Sequence, residues 1–489
     1  MSTNPTHGAV EARSFDFVPE EERTGSVTAQ SKFWFMVNAT LITAYTGAVG
    51  PLFGLGLPVT LLTIVAGTLF GTLFQAFHGA QGPHMGLPQM IQSRVQFGSR
   101  GAIVPILVAA IVPIGFAIFY LQTGADAASG VLPGDVDPFE VVIGLLAGLL
   151  AIVGYRWILR SEGFIAYVMV ANLLALTVAG FATLPITQLL GDWGWGWTGV
   201  LAQFGAAAGY QIAIAPIVSD YTRYLPTRTP GAAVSTAVFL GTVASALWIE
   251  FMGAAVSLTY PDLDVVAAIR TMGDAWGFHL GSVTMLVAVV VCLVTAAVSL
   301  YSGTVSLLSG AEAFRPFAST PLLRAWTIGT ATVVVIVAGL ALPADVLTSF
   351  STFLALLGYL LIPWTAVNLT DYYLVRRGAY SVTDILRTDG GIYGRWGIRG
   401  LTSYALGVVC MVPFVSNALY TGPIASGLGG ADIAFAIGLA VSSISYILLM
   451  RGVDLAAERA LVLAAPLSTS LLHAADATRG VTTTDRNLV

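Results

Sequence analysis

The sequence predicts an all-α membrane protein with twelve transmembrane helices. Of its 489 residues, 56% are hydrophobic and only 10% are charged, whereas soluble domains carry about 25% charged residues. Twelve segments also hold the roughly 20 mainly apolar residues that a spanning helix needs. They lie near 33–56, 57–79, 102–130, 139–159, 163–186, 198–219, 231–257, 280–309, 322–342, 346–373, 402–421 and 430–450, and are numbered spans 1 to 12. The divide between spans 1 and 2 rests on Gly54-Leu-Gly-Leu-Pro58 alone.

The polar positions inside these spans, taken in order, point to a buried site. Span 1 carries Asn38, Thr40 and Thr43, followed by Gly47, Gly50 and Pro51. Span 6 runs Phe204-Gly-Ala-Ala-Ala-Gly-Tyr-Gln-Ile-Ala-Ile-Ala-Pro216 and leads into Asp220-Tyr-Thr-Arg-Tyr-Leu-Pro226. Gly205, Gly209 and Pro216 are expected to interrupt its helix around Gln211. Backbone loosened inside hydrocarbon persists only where protein or a water-filled cavity satisfies it, and paired interrupted segments in two halves point to a transporter's binding site. Glycine alone also serves close packing, so Asn38 and Gln211 carry that reading.

Span 3 holds Gln122 and Asp126, four apart and on one face, flanked by Phe116, Phe119 and Tyr120. An intramembrane carboxylate is costly and usually functional, but a solvated place at the outer boundary fits Asp126 equally well. Glu250 of span 7 is a candidate proton-coupling carboxylate; a hydrogen bond to a neighbouring helix, or reach to the headgroups, would also account for it. On span 8, Thr295, Ser299 and Ser302 share a face. Their hydroxyls, with carbonyls freed by a broken helix, suit Na⁺; bonding back to their own helix is the alternative.

The basic residues give an orientation. With a cytoplasmic N-terminus, 20 of the 21 fall on the inner side and only Arg270 outside. The inner set is Arg13, Arg23 and Lys32, then Arg94, Arg100, Arg156, Arg160, Arg223, Arg228, Arg315 and Arg324, five from Arg376 to Arg399 and four in the C-terminal tail. Both termini are therefore expected in the cytoplasm, and residues 1–31 lack the apolar stretch of a signal peptide. Cys292 and Cys410 sit in apolar segments, which argues against a disulfide framework. His78 and His84 fit no metal motif. The chain shows no nucleophile elbow and no phosphate loop with its lysine, and its basic residues are too scattered for nucleic acid. Neither an enzyme nor a transport ATPase is expected.

Three stretches and the N-terminal tail together carry a resemblance. They are Gly82-Pro-His-Met-Gly-Leu-Pro-Gln-Met-Ile-Gln-Ser-Arg94 with Phe97-Gly-Ser-Arg-Gly101, then Asp220 to Pro226, then Asp371-Tyr-Tyr-Leu-Val-Arg-Arg-Gly-Ala-Tyr380. Val18-Pro-Glu-Glu-Glu-Arg-Thr-Gly25 precedes them, with Phe33, Trp34 and Asn38 following. In this order the chain resembles the nucleobase:cation symporter-1 family, purine–cytosine permease branch, over roughly residues 15–450.

The resemblance implies a leucine-transporter fold: a five-plus-five inverted repeat (32–190 and 191–375) with discontinuous helices 1 and 6. Two further helices follow within 376–450, and cytoplasmic tails occupy 1–31 and 451–489. It implies import of a purine, cytosine or related nitrogen heterocycle by H⁺ or Na⁺ symport across the bacterial inner membrane. A vitamin, allantoin or hydantoin carrier of the same fold is the alternative, and a channel or receptor a remote one. By position, substrate contacts fall to Asn38, Phe119, Tyr120, Gln122, Tyr210, Gln211 and Ser299. The family's span 3 tryptophan is Ile118 here, and its span 8 asparagine is Ser299. Trp34, Val37, Thr295, Ser299, Glu250 and Asp126 form the expected cation-coupling set. Arg94, Arg100, Asp220, Arg223 and Asp371 form an inner scaffold or gate, with Asp220–Arg223 and Asp371–Arg376 able to pair. The expected partners are the heterocycle, the coupling cation and the bilayer. No resident cofactor or metal, no nucleic acid and no obligate protein partner is expected.

Overall fold

Helices occupy every one of the twelve expected segments. The structure, a computed structural model, describes residues 17–153, 155–312, 314, 320–343, 345–465 and 468–469. Arg13, Arg315 and residues 470–489 lie outside the described residues, as do the side chains of Arg156 and Arg160. Among the described residues, eight helices are long and apolar enough to cross a membrane singly. These are Leu57–Met85, Ile103–Ser129, Val136–Val153, Trp197–Thr222, Gly231–Thr259, Leu280–Leu308, Pro321–Ala341 and Val346–Val375. Span 5 is Tyr155–Thr183 and span 11 the shorter Ile398–Phe414. Span 12, Ala434–Met450, turns by 84° into Leu455–Ala464.

Span 1 is broken, but not at its glycines. Its halves are Val27–Asn38 and Ile42–Leu52, joined through Ala39, whose ψ of 58° leaves the helical region. The Asn38 carbonyl, released from the ladder, takes the Thr40 amide at 2.8 Å and the Thr43 hydroxyl at 2.7 Å. Gly47 stays helical and serves close approach: a Cβ there would stand 1.8 Å from the Glu250 carbonyl oxygen. Span 6 likewise corrects the expectation from its glycines. Its helix runs unbroken from Trp197 to Ile214, through Gly205 and Gly209. It loosens only into a 3-10 turn at Ala215–Ile217, before a last turn at Val218–Thr222. Glycine costs a helix about 1 kcal/mol, whereas proline removes a donor and clashes with the preceding turn.

The spans assort into two groups. Spans 1, 2, 6 and 7 pack on one another, and span 3 packs along span 8 with spans 4 and 9 against them. Span 10 touches both groups through spans 6, 3 and the second half of span 1. Small residues make the first group tight, since a Cβ at Gly71 would meet the Ala208 carbonyl at 2.4 Å and one at Gly253 the Ala44 carbonyl at 2.0 Å. Close backbone approach is the usual means of helix association where the hydrophobic effect is absent.

The three motif stretches meet at one end of the bundle. Asp371, fully buried, accepts from Arg376 at 2.6 Å, Tyr380 at 2.8 Å, Tyr446 at 2.9 Å and Gln96 at 2.8 Å. Arg376 continues to Glu458 on the helix after span 12, at 2.5 Å. The expected Asp371–Arg376 pair is thus present. Asp220 caps the Gln89 amide at 2.9 Å, and the Arg223 Nε donates to the Asp220 main-chain oxygen at 3.1 Å. Arg94 reaches the Ile385 carbonyl at 3.3 Å, and the Arg100 amide that of Arg395 at 2.8 Å. Arg23 of the N-terminal motif binds the carbonyls of Val18 at 2.8 Å and Pro83 at 2.7 Å.

Candidate substrate site

The break in span 1 places Asn38 against the middle of span 6. Its Nδ2 lies 3.5 Å from Gln211 Oε1 and 3.4 Å from the Thr242 carbonyl of span 7. Both contacts are at the long end of hydrogen bonding. Asn38 and Gln211 are fully buried, yet Asn38 Oδ1 and Gln211 Nε2 have no protein partner. A free acceptor on Asn38 and a free donor on Gln211 therefore lie on two adjoining amides in the bundle interior. Beside them, the Tyr210 hydroxyl bonds Thr43 Oγ1 at 2.9 Å, which ties span 6 to the loosened start of the second half of span 1.

Aromatic rings close the site from spans 3 and 10. Phe116 stands 5.7 Å from Tyr210 and 6.3 Å from Tyr120, centroid to centroid. Phe350 packs against Phe119 at 5.1 Å and Tyr210 at 6.3 Å. Phe353 lies 5.5 Å from Phe116 and 5.3 Å from Phe119. At the end opposite the motifs, Tyr45 donates to Asp264, which caps the helix Val265–Trp276. Burial holds the Asp264 carboxyl above its ordinary range, opposed by the Val266 amide and the Tyr45 hydroxyl.

Of the residues expected from sequence, Asn38, Phe119, Tyr120, Tyr210 and Gln211 come together. Gln122 is turned away from them: its Nε2 reaches across to the Gly339 carbonyl of span 9 at 3.3 Å, while its Oε1 is buried without a protein partner. A helix separates neighbouring side chains by about 100°, so Phe116 and Tyr120, four apart, face span 6 while Gln122 is turned to span 9. Ser299 is buried on span 8. Thr295 bonds back to its own helix, at the Val291 carbonyl, 2.8 Å away. The side chains of Trp34 and Val37 pack in an apolar cluster with Val218, Val234 and Val238, and Trp34 Nε1 is taken by Gln30 at 3.1 Å. Asp126 is half-buried near the end of span 3. Glu250 is fully buried and accepts from Thr68 of span 2 at 2.7 Å. The sequence reading did not single out Phe350 and Phe353; their spacing of three on an apolar helix is the signal that would have marked them.

Flat aromatic faces beside a free amide oxygen and a free amide nitrogen suit a planar ring with donors and acceptors on its edge. The broken helix, the two helix groups and this enclosed site define a secondary transporter of the leucine-transporter fold. The same fold is seen in the structure of Mhp1, a nucleobase-cation-symport-1 family transporter, in a closed conformation with bromovinylhydantoin bound. The two superpose with a TM-score of 0.70 over 90% of this chain and 95% of that one, at 20% identity.

Residues 17–438 match the family described as permeases for cytosine/purines, uracil, thiamine, allantoin, and the chain belongs to that family. It is 34% identical to YxlA of Bacillus subtilis (strain 168), named as a purine-cytosine permease, over 90% of this chain and 96% of that one. It is 25% identical to the purine-cytosine permease fcyB of Emericella nidulans, over 90% of this chain and 88% of that one. The protein is a multi-pass membrane permease and not an enzyme.

Proposed function

We propose that the protein imports a purine or cytosine nucleobase across the bacterial inner membrane by symport with H⁺ or Na⁺. Access alternates around the break in span 1 and the Pro216 turn of span 6. The observation that carries this reading is the pair of unpartnered amide atoms, Asn38 Oδ1 and Gln211 Nε2, beside Tyr210. Each is a buried group whose desolvation stays uncompensated until a ligand supplies its partner. Asn38 and Gln211 read the polar edge of the base, while Tyr210, Phe116, Phe119 and Tyr120 hold its faces. Ser299 borders the site from span 8 and Gln122 supports span 3 from behind. For Na⁺, Thr295 and Ser299 would serve with main-chain oxygens near Trp34 and Val37; for H⁺, Glu250 or Asp126. Residues 32–190 and 191–375 form the two inverted halves. The alternation that gathers 20 of the 21 basic residues on one side supports a cytoplasmic position for both tails and for the motif end, with its Arg94, Arg100, Asp220, Arg223 and Asp371 scaffold.

The reading is tested with purified protein in proteoliposomes, using radiolabelled cytosine, adenine, guanine and hypoxanthine with H⁺ or Na⁺ gradients. Saturable accumulation of at least one base under one gradient is expected. Accumulation of none, with either gradient, would refute it.

A further inference from the structure

A row of buried polar side chains runs between spans 2 and 7, beside the substrate site, and most of it is unsatisfied. At one end Glu250, wholly enclosed, takes a single hydrogen bond, from Thr68 at 2.7 Å, on Oε2; Oε1 has none. Nearer the motif end, Ser235 of span 7 donates to the Ala76 carbonyl of span 2 at 3.0 Å. These two contacts bracket Thr72 and Gln75 of span 2 and Thr242 of span 7, all fully buried. Thr68, Thr72 and Gln75 follow one another at i, i+4 and i+7 and so line one face. The Thr72 and Thr242 hydroxyls and both polar atoms of Gln75 lack protein partners.

Helix packing does not explain this arrangement. Each unmet buried polar group carries an uncompensated desolvation cost, and small apolar residues would pack the same interface without it. Polar groups that cannot reach one another are satisfied by water, so the row reads as a hydrated file that ends on a carboxyl. The carboxyl itself has no cationic neighbour among the described residues that pack on it. Tyr45 of span 1 is held by Asp264. Tyr210 of span 6 is close enough to interact electrostatically and is held by Thr43. His78 of span 2 is bonded to Thr365 of span 10, Arg270 and Asp274 pair on the short helix, and Lys32 is exposed at the motif end. A lone carboxylate in this setting is paid for only if it carries a proton for part of the cycle.

We infer that Glu250 is the proton-binding site of the transport cycle, with Thr68, Thr72, Gln75 and Thr242 lining a water file from it towards the cytoplasmic end. This rests on the symport reading above and selects H⁺ as the coupling ion. A hydronium gives its proton to Glu250 Oε1, the hydronium O–H bond breaking as the carboxyl O–H bond forms, and the carboxyl later returns the proton to a water of the file, which becomes hydronium. The link to substrate runs through Asn38, whose weak bond to the Thr242 carbonyl ties the substrate site to span 7 two turns from Glu250. A base that recruits the Asn38 amide loosens that tie and lets span 7 move against span 2, exchanging the carboxyl between the two sides.

The test compares unaltered protein, Glu250→Gln and Gln75→Leu in proteoliposomes loaded with a pH-sensitive dye. Substrate-coupled proton flux is measured alongside counterflow of a labelled base, which needs no net proton movement. Glu250→Gln is expected to lose accumulation driven by a pH gradient and substrate-coupled proton flux, yet keep counterflow. Gln75→Leu is expected to slow the proton flux while keeping counterflow. Proton flux unchanged in Glu250→Gln, or accumulation by the unaltered protein that follows Na⁺ and ignores the pH gradient, overturns the assignment. If Glu250→Gln loses counterflow as well, Gln75→Leu decides, and full proton flux in that variant overturns the file. Absence of counterflow in the unaltered protein for every base overturns the nucleobase reading, and the proposal with it.

Discussion

The amide nitrogen of Asn38 lies 3.5 Å from Gln211 Oε1, and that one long contact joins the broken point of span 1 to the centre of span 6. The remaining amide atoms, Asn38 Oδ1 and Gln211 Nε2, are buried and free. A base edge carrying a donor next to an acceptor would satisfy both at once.

Replacing Asn38 or Gln211 by alanine should therefore weaken base binding by about 1–3 kcal/mol each, roughly five- to 150-fold in Kd. Gln122→Ala should leave Kd within about threefold, because Gln122 turns its amide nitrogen to the Gly339 carbonyl of span 9, away from Tyr210 and Gln211. Titration calorimetry on the three variants checks the order; a larger loss from Gln122→Ala than from Gln211→Ala would relocate the site.

Tyr210 combines a ring that faces Phe116 at 5.7 Å with a hydroxyl fixed on Thr43. Tyr210→Phe should keep the stacking surface and cost about 1 kcal/mol or less in binding. Tyr210→Ala should lose the aromatic contribution as well, about 0.5–1.5 kcal/mol beyond lost area. Equal effects of the two substitutions on Kd would mean that the ring does not touch the base.

At the motif end, Asp371 gathers Arg376, Tyr380, Tyr446 and Gln96 around one buried carboxylate. Removing one partner of a buried ion pair leaves an uncompensated charge, typically at about 3–5 kcal/mol. Arg376→Ala should accordingly lower the thermal midpoint of detergent-solubilised protein well below that of Lys32→Ala, an exposed single cation. Matching midpoints would show that the hub contributes little to stability.

Gly47 touches span 7 so closely that a Cβ would sit 1.8 Å from the Glu250 carbonyl oxygen. That atom is backbone and cannot swing away, so Gly47→Val should destabilise the fold by at least about 1–3 kcal/mol. Gly205→Ala, where a Cβ meets nothing within 4 Å, should be neutral or slightly stabilising by helix propensity. Thermal unfolding of both variants checks the contrast.

What the sequence disclosed follows from which physics is local. Apolar length and basic-residue placement are properties of composition, so the helical segments could be read directly, and so could Asn38 and Gln211 as costly polar groups. Where a helix breaks is less local. Ala39 left the helix while Gly47, Gly205 and Gly209 stayed in it; at Gly47 and Gly209 the missing side chain admits backbone distant in sequence, and Gly205 has open space beside it. Helix facing is less local still. Gln122 looked like a pocket residue beside Phe119 and Tyr120, but only the neighbouring spans decide that it turns to Gly339. Phe350 and Phe353 were passed over for the complementary reason: two aromatics three apart in an apolar helix are ordinary until span 3 is seen against them.

The most direct test of the central claim is equilibrium binding of cytosine and hypoxanthine to purified protein and to Asn38→Ala. The account predicts saturable binding of at least one base to the unaltered protein and at least a roughly fivefold weaker Kd in Asn38→Ala, with its thermal midpoint unchanged. Binding that survives Asn38→Ala undiminished, or no binding of any nucleobase by the unaltered protein, would contradict it.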